Sequence, residues 1–547
     1  MLKRLPIGKD DFKEIIEDDF YYADKTEIID KLLKDGNYIS LFPRPRRFGK
    51  SLFISMLDNF FNIEYKDTNK HLFEGLNIEM SEFYSELSSK PVIKLDFKSL
   101  KQDSYEEIYE SFKEMIINLY TKFEYVLNRL SEGEQDIFNS IKKGVATSAR
   151  YKNSINYLSE YLYKYYNIKP IILIDEYDVP IERGYINNFY DDVVNLIRNV
   201  LSNALKGNSN ISFAVMTGVL RVSKESLFSD LNNVEVYTIN NEFYNDCFGF
   251  TESETKRLLE NYDLELNDEV KNMYDGYNFC GAEIYNPWSI LNYAKYKKLD
   301  KYWVNTSGNE LIYEVVKNCN SDIKVKIEKL LLGDKIEFIY NDKTTYQDYS
   351  NLNDGNSIFN LLLASGYLTI YTSFDEYNNK ITYVKLPNRE VIGLFNNILN
   401  KILNDMYEID LSKVRDFFNG VLNNNKIVLE SVINKMLSKF SFYDLNEQGY
   451  HVYIMTLFSF FINDNNFIIY SNRESGNGRF DIMIKDKKFK KGIIMEFKVT
   501  KDDLENAALK GLKQIEEKEY YMDLINEGYS TIYKYVIVFA RKKCIVR

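Results

Sequence analysis

Three groups of residues in this chain carry side chains suited to chemistry at phosphates. The first is Gly49-Lys50-Ser51, reached from Phe42 through Pro43-Arg44-Pro45-Arg46-Arg47-Phe48. Backbone N–H groups at a loop-to-helix junction cradle phosphate oxygens, and the helix N-terminus favours their charge. A lysine there reaches the β- and γ-phosphates of a nucleotide, and the hydroxyl after it ligates Mg2+. The full G-x-x-x-x-G-K-[ST] pattern is interrupted, because Arg44 occupies its first glycine position. Arg46 and Arg47 stand where charge-assisted contacts to phosphate can replace missing glycine amides. The second group is Asp175-Glu176, which closes the apolar run Ile171–Ile174. Asp175 is placed to hold the Mg2+ shell, and Glu176 to polarise an attacking water as general base. Thr217 and Gly218 close a further apolar run, with Arg221 three residues on. Thr217 can touch the γ-phosphate or its water. Arg221 can stabilise charge on the transferred group, in cis or from a neighbouring subunit of a homo-oligomer.

The third group lies near the C-terminus. Asp481 stands in the run Gly478–Ile484, which is expected to be a strand with Asp481 inside it. Fifteen residues on comes Glu496, with Lys498 two further. Strand alternation puts Glu496 and Lys498 on one face, and Met495 and Phe497 on the other. A hairpin turning over Lys485–Lys491 brings Asp481 beside Glu496. Two carboxylates so placed bind Mg2+, and a lysine beside them orients or deprotonates a water and steadies the charge of the phosphorane. Glu447, on the preceding helix, or Glu474, just before the first strand, offers a third carboxylate. Gln514, on the following helix, is placed to touch the water or the phosphate. Each group also has a purely structural reading. Gly49-Lys50-Ser51 can be a basic turn opening a helix, Asp175-Glu176 an acidic loop, and Glu496 and Lys498 a solvated strand face.

These groups need elements to hold them. A short helix is expected over 26–34, a strand over Asn37–Phe42 and a helix over Ser51–Phe61. Pro91–Phe97 and Lys169–Asp175 read as strands, the latter continuously apolar like a buried parallel strand. Residues 104–165 are mostly helical by spacing. A helix follows over Ile186–Leu205, then strands over Ile211–Met216 and Val234–Ile239. Strands separated by helices imply a parallel α/β sheet. After Phe250 the pattern turns helical, opening on the capping box Thr251–Glu254. Residues 300–440 are mixed and mainly helical. Beyond about 440 a helix over 447–463 is expected, then a strand Phe467–Tyr470 and two strands within 480–499. A helix over 502–527 and a strand Lys534–Ala540 complete the chain.

The chain has 547 residues, of which 45% are hydrophobic and 28% charged, enough to bury several cores in two to four domains. Its net charge of −11 argues against a protein that coats nucleic acid. From Ser431 to Arg547, however, 19 Lys and Arg stand against 15 Asp and Glu, so a polyanion is expected to meet the C-terminal part. Two histidines, His71 and His451, are too few for a zinc site or a Ser-His triad. The cysteines at 247, 280, 319 and 544 are scattered without a C-x-x-C pair, which fits a reducing cytoplasm rather than a disulfide framework. The first residues lack an apolar signal core, and the longest apolar run, near 451–462, is too short to span a bilayer. A cytoplasmic protein without a membrane partner is therefore expected.

At this point the residues resemble a known family. Tyr22–Ile29, Arg44–Leu52, Ile172–Asp178 and Thr217–Arg221 are similar to the predicted AAA-ATPase-like proteins of bacteria, as are Phe228–Asn233, Tyr274–Tyr277, Tyr285–Trp288 and Asn305–Ser307. That family's loop also carries Arg-Pro-Arg-Arg in place of the first glycine. The C-terminal acid, Glu-x-Lys spacing resembles the PD-(D/E)XK nuclease superfamily. Ser471–Asp481 and Ala508–Ile515 look like the nuclease-like domain that often follows this ATPase-like domain. The resemblance implies an α/β protein with a P-loop NTPase-type parallel sheet covered by helices on both faces. A mainly helical middle region and a restriction-endonuclease-like α/β domain would follow. Boundaries are expected at 1–245 for the P-loop domain, 246–310 for a helical lid, 311–439 for a connector and 440–547 for the nuclease-like domain. The implied cofactors are ATP and Mg2+, and the implied partner is nucleic acid, DNA ahead of RNA. Two functions follow. One is an ATP-hydrolysing protein whose C-terminal domain cuts nucleic acid. The other is a nucleotide-switched protein whose C-terminal domain grips without cutting.

Overall fold

The computed structural model describes residues 2–220, 233–303, 310–331, 333–341, 354–374, 380–407, 411–438, 450, 454–455, 457–458, 466–500, 503–540 and 543–547. It divides into two compact units, Met1–Thr306 with Phe338–Ile370, and Ser307–Glu337 with Tyr371–Arg547.

The first unit is built on five parallel strands, β1 (Ile39–Pro43), β2 (Val92–Asp96), β3 (Ile171–Asp175), β4 (Ala214–Gly218) and β5 (Val234–Val236), in the order β2-β3-β4-β1-β5. β1, β3 and β4 are buried at every position, as strands with both faces covered must be. β4 lies between the strand leading to Gly49-Lys50-Ser51 and the strand ending at Asp175. The strand order therefore brings Gly49-Lys50-Ser51, Asp175-Glu176 and Thr217 to the C-terminal edge of one sheet, where ligands bind in open α/β folds.

Local detail differs from the sequence reading in ways that matter. The strand expected over Ile211–Met216 runs instead over Ala214–Gly218, because pairing begins where Ala214 meets Ile39 and Ile172. Thr217 and Gly218 thus belong to the strand rather than follow it. The helix expected over Ile186–Leu205 is two helices, Val179–Ile186 and Tyr190–Leu205. They break at Asn188, whose φ of 63° lies outside the helical region. The tract 104–165 resolves into helices Tyr105–Lys122, Glu132–Lys142 and Ser148–Tyr166, preceded by Ser104, Ser131 and Thr147 as N-caps.

After Phe250 the helices Glu252–Asn261, Asp268–Tyr274 and Pro287–Tyr296 form as expected, the first with its Thr251/Glu254 capping box. Three short antiparallel strands were not anticipated: β6 (Phe250–Thr251), β7 (Tyr277–Phe279) and β8 (Ala282–Tyr285), in the order β6-β8-β7. β7 and β8 are joined by the two-residue turn Cys280-Gly281. Both of its residues have positive φ, the twist that tight hairpins need.

The middle of the chain carries β9 (Ile336–Glu337), β10 (Thr369–Phe374) and β11 (Lys380–Lys385), in the order β10-β11-β9, among helices. The C-terminal part holds β12 (Phe467–Ser471), a small hairpin of β13 (Glu474–Ser475) and β14 (Gly478–Arg479), then β15 (Ile482–Asp486), β16 (Lys491–Val499), β17 (Thr531–Ala540) and β18 (Lys543–Val546). The main sheet has the order β12-β15-β16-β17-β18, and of these pairs β16–β17 is parallel. A parallel pair needs a crossover, here the helix Leu504–Glu517. Its Ala508 and Ile515 pack with Met483, Ile494, Val536 and Val538 into one core. Among the described residues, no helix is long and apolar enough to cross a membrane.

Candidate functional site

The phosphate-loop candidate is built from β1 and the helix Lys50–Phe61. Gly49 is the residue before this helix and has φ 89°. No Cβ clash excludes a side chain there, so glycine is needed for its backbone angle alone. Lys50 is buried, and its Nζ donates to the carbonyls of Arg44 at 3.1 Å and Pro45 at 3.0 Å. Burial lowers the lysine's pKa, while Glu176, Asp175 and Asp178 pull it back up. The loop thus curls over the ammonium group with three carboxylates nearby. Ser51 follows within the first turn of the helix.

Arg44, where the usual loop has glycine, is fully buried. Its guanidinium donates to the carbonyls of Pro43, Tyr237 and Tyr244, and lies 4.9 Å from the centre of the Phe248 ring. Its backbone N–H donates to the Gly218 carbonyl at 2.9 Å. Burial holds its pKa down to about 10. At this position the loop is anchored through a side chain to three carbonyls and an aromatic face. Arg46 donates to both oxygens of Glu182, at 2.7 and 2.5 Å. Arg47, at φ 69°, lies 4.4 Å from the Trp288 ring centre.

Facing the loop, Asp175 ends β3 in register with Asp96 of β2. The Thr217 hydroxyl donates to Asp175 Oδ1, which joins the strand-end polar residue to the acid. Glu176 is held at φ 50°, an uncommon angle for a residue with a Cβ and one that recurs at functional sites. Burial raises its pKa. Lys50, Lys98 and Arg46 oppose the rise and Asp175 adds to it. Asp178 is buried, and its Oδ2 accepts the N–H groups of Val219 and Leu220 at 2.9 and 2.8 Å. Burial pushes its pKa up to about 6, although both of those hydrogen bonds lower it. Sequence reasoning quoted Asp178 in its motif and gave it no task. It also missed Glu182 as the partner of Arg46. Arg221 lies outside the described residues.

In the C-terminal sheet, β15–β16 pairing stops at Ile482 and Met495. Asp481 is therefore not in a strand, contrary to the sequence reading. With pairing ended, the Phe497 N–H is met by the Asp481 side chain, whose Oδ2 accepts it at 2.6 Å. The carboxylate thus replaces the missing strand neighbour and is drawn toward the residue beside Glu496. Glu496 is buried, and its Oε1 accepts from Lys498 Nζ at 2.7 Å and Gln514 Nε2 at 2.6 Å. Gln514 comes from the crossover helix and also donates to the Tyr520 hydroxyl at 3.0 Å. Burial raises the Tyr520 pKa. Tyr520 carried no sequence signal. Glu474 is exposed and pairs in register with Arg479 in the small hairpin. Glu447 and the helix expected over 447–463 fall largely outside the described residues.

The donor set fits a hard divalent cation. Asp481 and Glu496 bring carboxylate oxygens, the ligand type Mg2+ prefers.

Comparison with known proteins finds one family match in each of these two regions. Residues 6–228 match the family model described as "Predicted AAA-ATPase", and residues 445–547 match that of the PD-(D/E)XK nuclease superfamily. Two separate stretches of the chain are thus similar to these two families. Among curated proteins it is similar to the "Uncharacterized protein in vnfD 5'region" of Azotobacter chroococcum mcd 1, at 29% identity over 318 residues. The match covers 57% of this chain and 56% of that protein, so the chain spans about half the length of the curated relative it matches.

Proposed function

We propose that this protein binds and hydrolyses ATP in its first unit and cuts nucleic acid through the Asp481, Glu496 and Lys498 site. The domain roles follow the sequence reading, with 1–245 as the nucleotide domain, 246–310 its lid, 311–439 the connector and 440–547 the nuclease domain. In the first unit, Lys50, which now meets the Arg44 and Pro45 carbonyls, would serve the phosphate oxygens of a bound nucleotide. Ser51 and Asp175 would hold the accompanying Mg2+, and Thr217 orients Asp175 through its hydroxyl. Glu176 accepts a proton from the attacking water, a role suited to a carboxylate whose pKa is raised by burial.

In the nuclease region, Asp481 and Glu496 would hold a Mg2+ ion, which when bound activates a water and neutralises charge on the phosphate. Gln514 keeps Glu496 oriented. Lys498 is positioned by its ion pair to take up or deliver a proton at the attacking water. The convergence of Lys498 and Gln514 on Glu496 Oε1, beside the Asp481–Phe497 bond, carries this reading. A solvated strand face would leave Glu496 exposed, and it is buried.

The test is a cleavage assay on plasmid, linear DNA and RNA, with Mg2+ and with or without ATP. Asp481→Asn, which keeps an acceptor for the Phe497 N–H, and Lys498→Ala should each abolish cleavage while the protein stays folded and still hydrolyses ATP. Absence of cleavage by the wild type under every metal and nucleotide condition would overturn the nuclease reading and leave the nucleotide-switched binder.

A further inference from the structure

One recess in the second unit is not used by the chemistry above. It is a cavity of about 570 Å3, lined by the helix Ser321–Leu331, by β9 and β11, and by the segment from Ser471 to Arg479. Lys326, Lys329, Lys335, Arg473 and Arg479 line it, against two carboxylates, Asp334 and Glu337. One of those acids, Asp334, lies 3.6 Å from Arg473, so part of the negative charge is already met. Tyr383 adds an aromatic ring to the wall, with Lys335 Nζ 4.4 Å from its centre. All five cationic residues are exposed.

The recess adjoins the metal-site candidate through the chain itself. Arg479 is two residues before Asp481, the Asn472 N–H donates to the Asp481 carbonyl at 2.8 Å, and the Phe480 N–H donates to the Arg473 carbonyl at 3.2 Å. The wall that carries Ser471, Asn472, Arg473 and Arg479 is thus the segment that delivers Asp481 to its place.

We infer that this recess binds the phosphodiester backbone of a single nucleic-acid strand next to the phosphate that is cut. The inference rests on the nuclease reading of Asp481, Glu496 and Lys498 for what happens to that strand. Lys326 and Lys329 from one wall, and Arg473 and Arg479 from the other, meet backbone phosphates, while Tyr383 offers a ring to an unstacked base. The size selects the occupant. A cavity of this volume takes a ligand of one or two nucleotides. A double helix, wider across than either of its grooves, can meet only the rim of such a recess. Lys326, Lys329 and Lys335, from a stretch that the sequence marked only as connector, become part of the substrate surface.

The test measures binding of 5′-labelled 20-nucleotide single-stranded DNA, single-stranded RNA and a 20-base-pair duplex by fluorescence anisotropy. It uses the full chain in EDTA, so that no strand is cut. The expected result is that Lys326→Glu/Lys329→Glu and Arg479→Glu each weaken single-strand binding at least tenfold, with duplex binding little changed. The salt dependence should also become shallower, by about 0.7 in log–log slope for each phosphate that the variant no longer neutralises. Lys326→Gln/Lys329→Gln, which removes charge without reversing it, should weaken binding in the same direction, and melting curves report whether each variant is folded. The DNA and RNA arms decide which strand is preferred. Wild-type affinity in the folded variants, or equal losses for strand and duplex, would overturn the inference. If the wild type cuts nucleic acid and the recess variants bind and cut as it does, the recess reading falls and the nuclease reading stands. If the variants lose strand binding but the wild type cuts nothing, the reverse holds.

Discussion

Gly218 offers a severe test of how the phosphate loop is held. It ends β4, pairs with Pro43, and its carbonyl accepts the Arg44 N–H at 2.9 Å. A Cβ at this position would stand 2.7 Å from Asp178 Oδ1, and 2.7 and 2.9 Å from two carbons of the Tyr177 ring. Neither neighbour can retreat. Asp178 is buried and held by the Val219 and Leu220 N–H groups. Tyr177 is fully buried, and its hydroxyl donates to the Leu220 carbonyl at 2.6 Å. Overpacking of this kind costs about 1–3 kcal/mol. Relief comes by moving the Gly218 backbone, which carries the start of the loop with it. Gly218→Ala should therefore lower the melting temperature of the first unit by a few degrees. It should also weaken ATP binding by about tenfold if roughly 1.4 kcal/mol of the strain reaches the loop. Scanning calorimetry and isothermal titration with ATP measure both. Gly133→Ala is the control, since Gly133 has open space around its Cβ position at an exposed site in the first turn of a helix, and there alanine should be neutral or stabilising. If Gly218→Ala melts and binds nucleotide like the wild type, the loop is not anchored through β4 as described.

Three further outcomes are expected. Lys50→Ala should abolish nucleotide binding measured by calorimetry, because it removes the cation cradled by the loop, and wild-type affinity would refute the assignment. Asp178 has a folded-state pKa of about 6, above its ordinary value, so folding takes up a proton between about pH 4 and 6 and stability falls as pH rises through that window. Asp178→Asn should flatten that slope in melting temperatures taken across the range, and an unchanged slope would place the titration elsewhere. If Glu176 is the general base, ATP turnover should rise with pH on an acid limb lying above the usual glutamate range, because burial raises its pKa. Lys98→Met, which removes one of the cations opposing that rise, should move the limb further upward, and a fixed limb would exclude Glu176.

Much of this fold was legible because its signals are local. Apolar runs such as Ile171–Asp175 mark buried parallel strands, and Thr251 with Glu254 marks a helix start. The places that misled are those set by partners distant in sequence. Ala214–Gly218 is displaced from the expected strand because its limits depend on Ile39 and Ile172. β6 to β8 are too short to show alternation, and their turn is revealed by the positive φ at Cys280 as well as Gly281. The candidate sites divide in the same way. Gly49-Lys50-Ser51, Asp175-Glu176 and Glu496-x-Lys498 are contiguous and readable. Glu182, Asp178 and Tyr520 acquire meaning from packing, since each acts on a residue brought to it by the fold.

The two sites share a physical device that explains where their carboxylates sit. A strand end leaves backbone groups that no ladder satisfies, and buried groups of that kind must find a partner. At β4 the Gly218 carbonyl receives the Arg44 N–H, and just beyond it the Val219 and Leu220 N–H groups find Asp178. Where β15 leaves β16, the Phe497 N–H finds Asp481. In the latter two cases an acid is held because it completes a backbone that pairing has abandoned, and this fixes its position without a second side chain. The remaining acids, Asp175 and Glu496, are then oriented by side-chain donors, Thr217 in one site and Lys498 with Gln514 in the other. An acid bound to backbone and an acid bound to side chains differ in what substitution does to them. Replacing Asp481 or Asp178 strips a partner from buried N–H groups and costs local structure as well as any chemistry. Replacing Thr217 or Gln514 loosens a carboxylate and leaves the strand ends intact, so those two positions are where function can be weakened with the fold least disturbed.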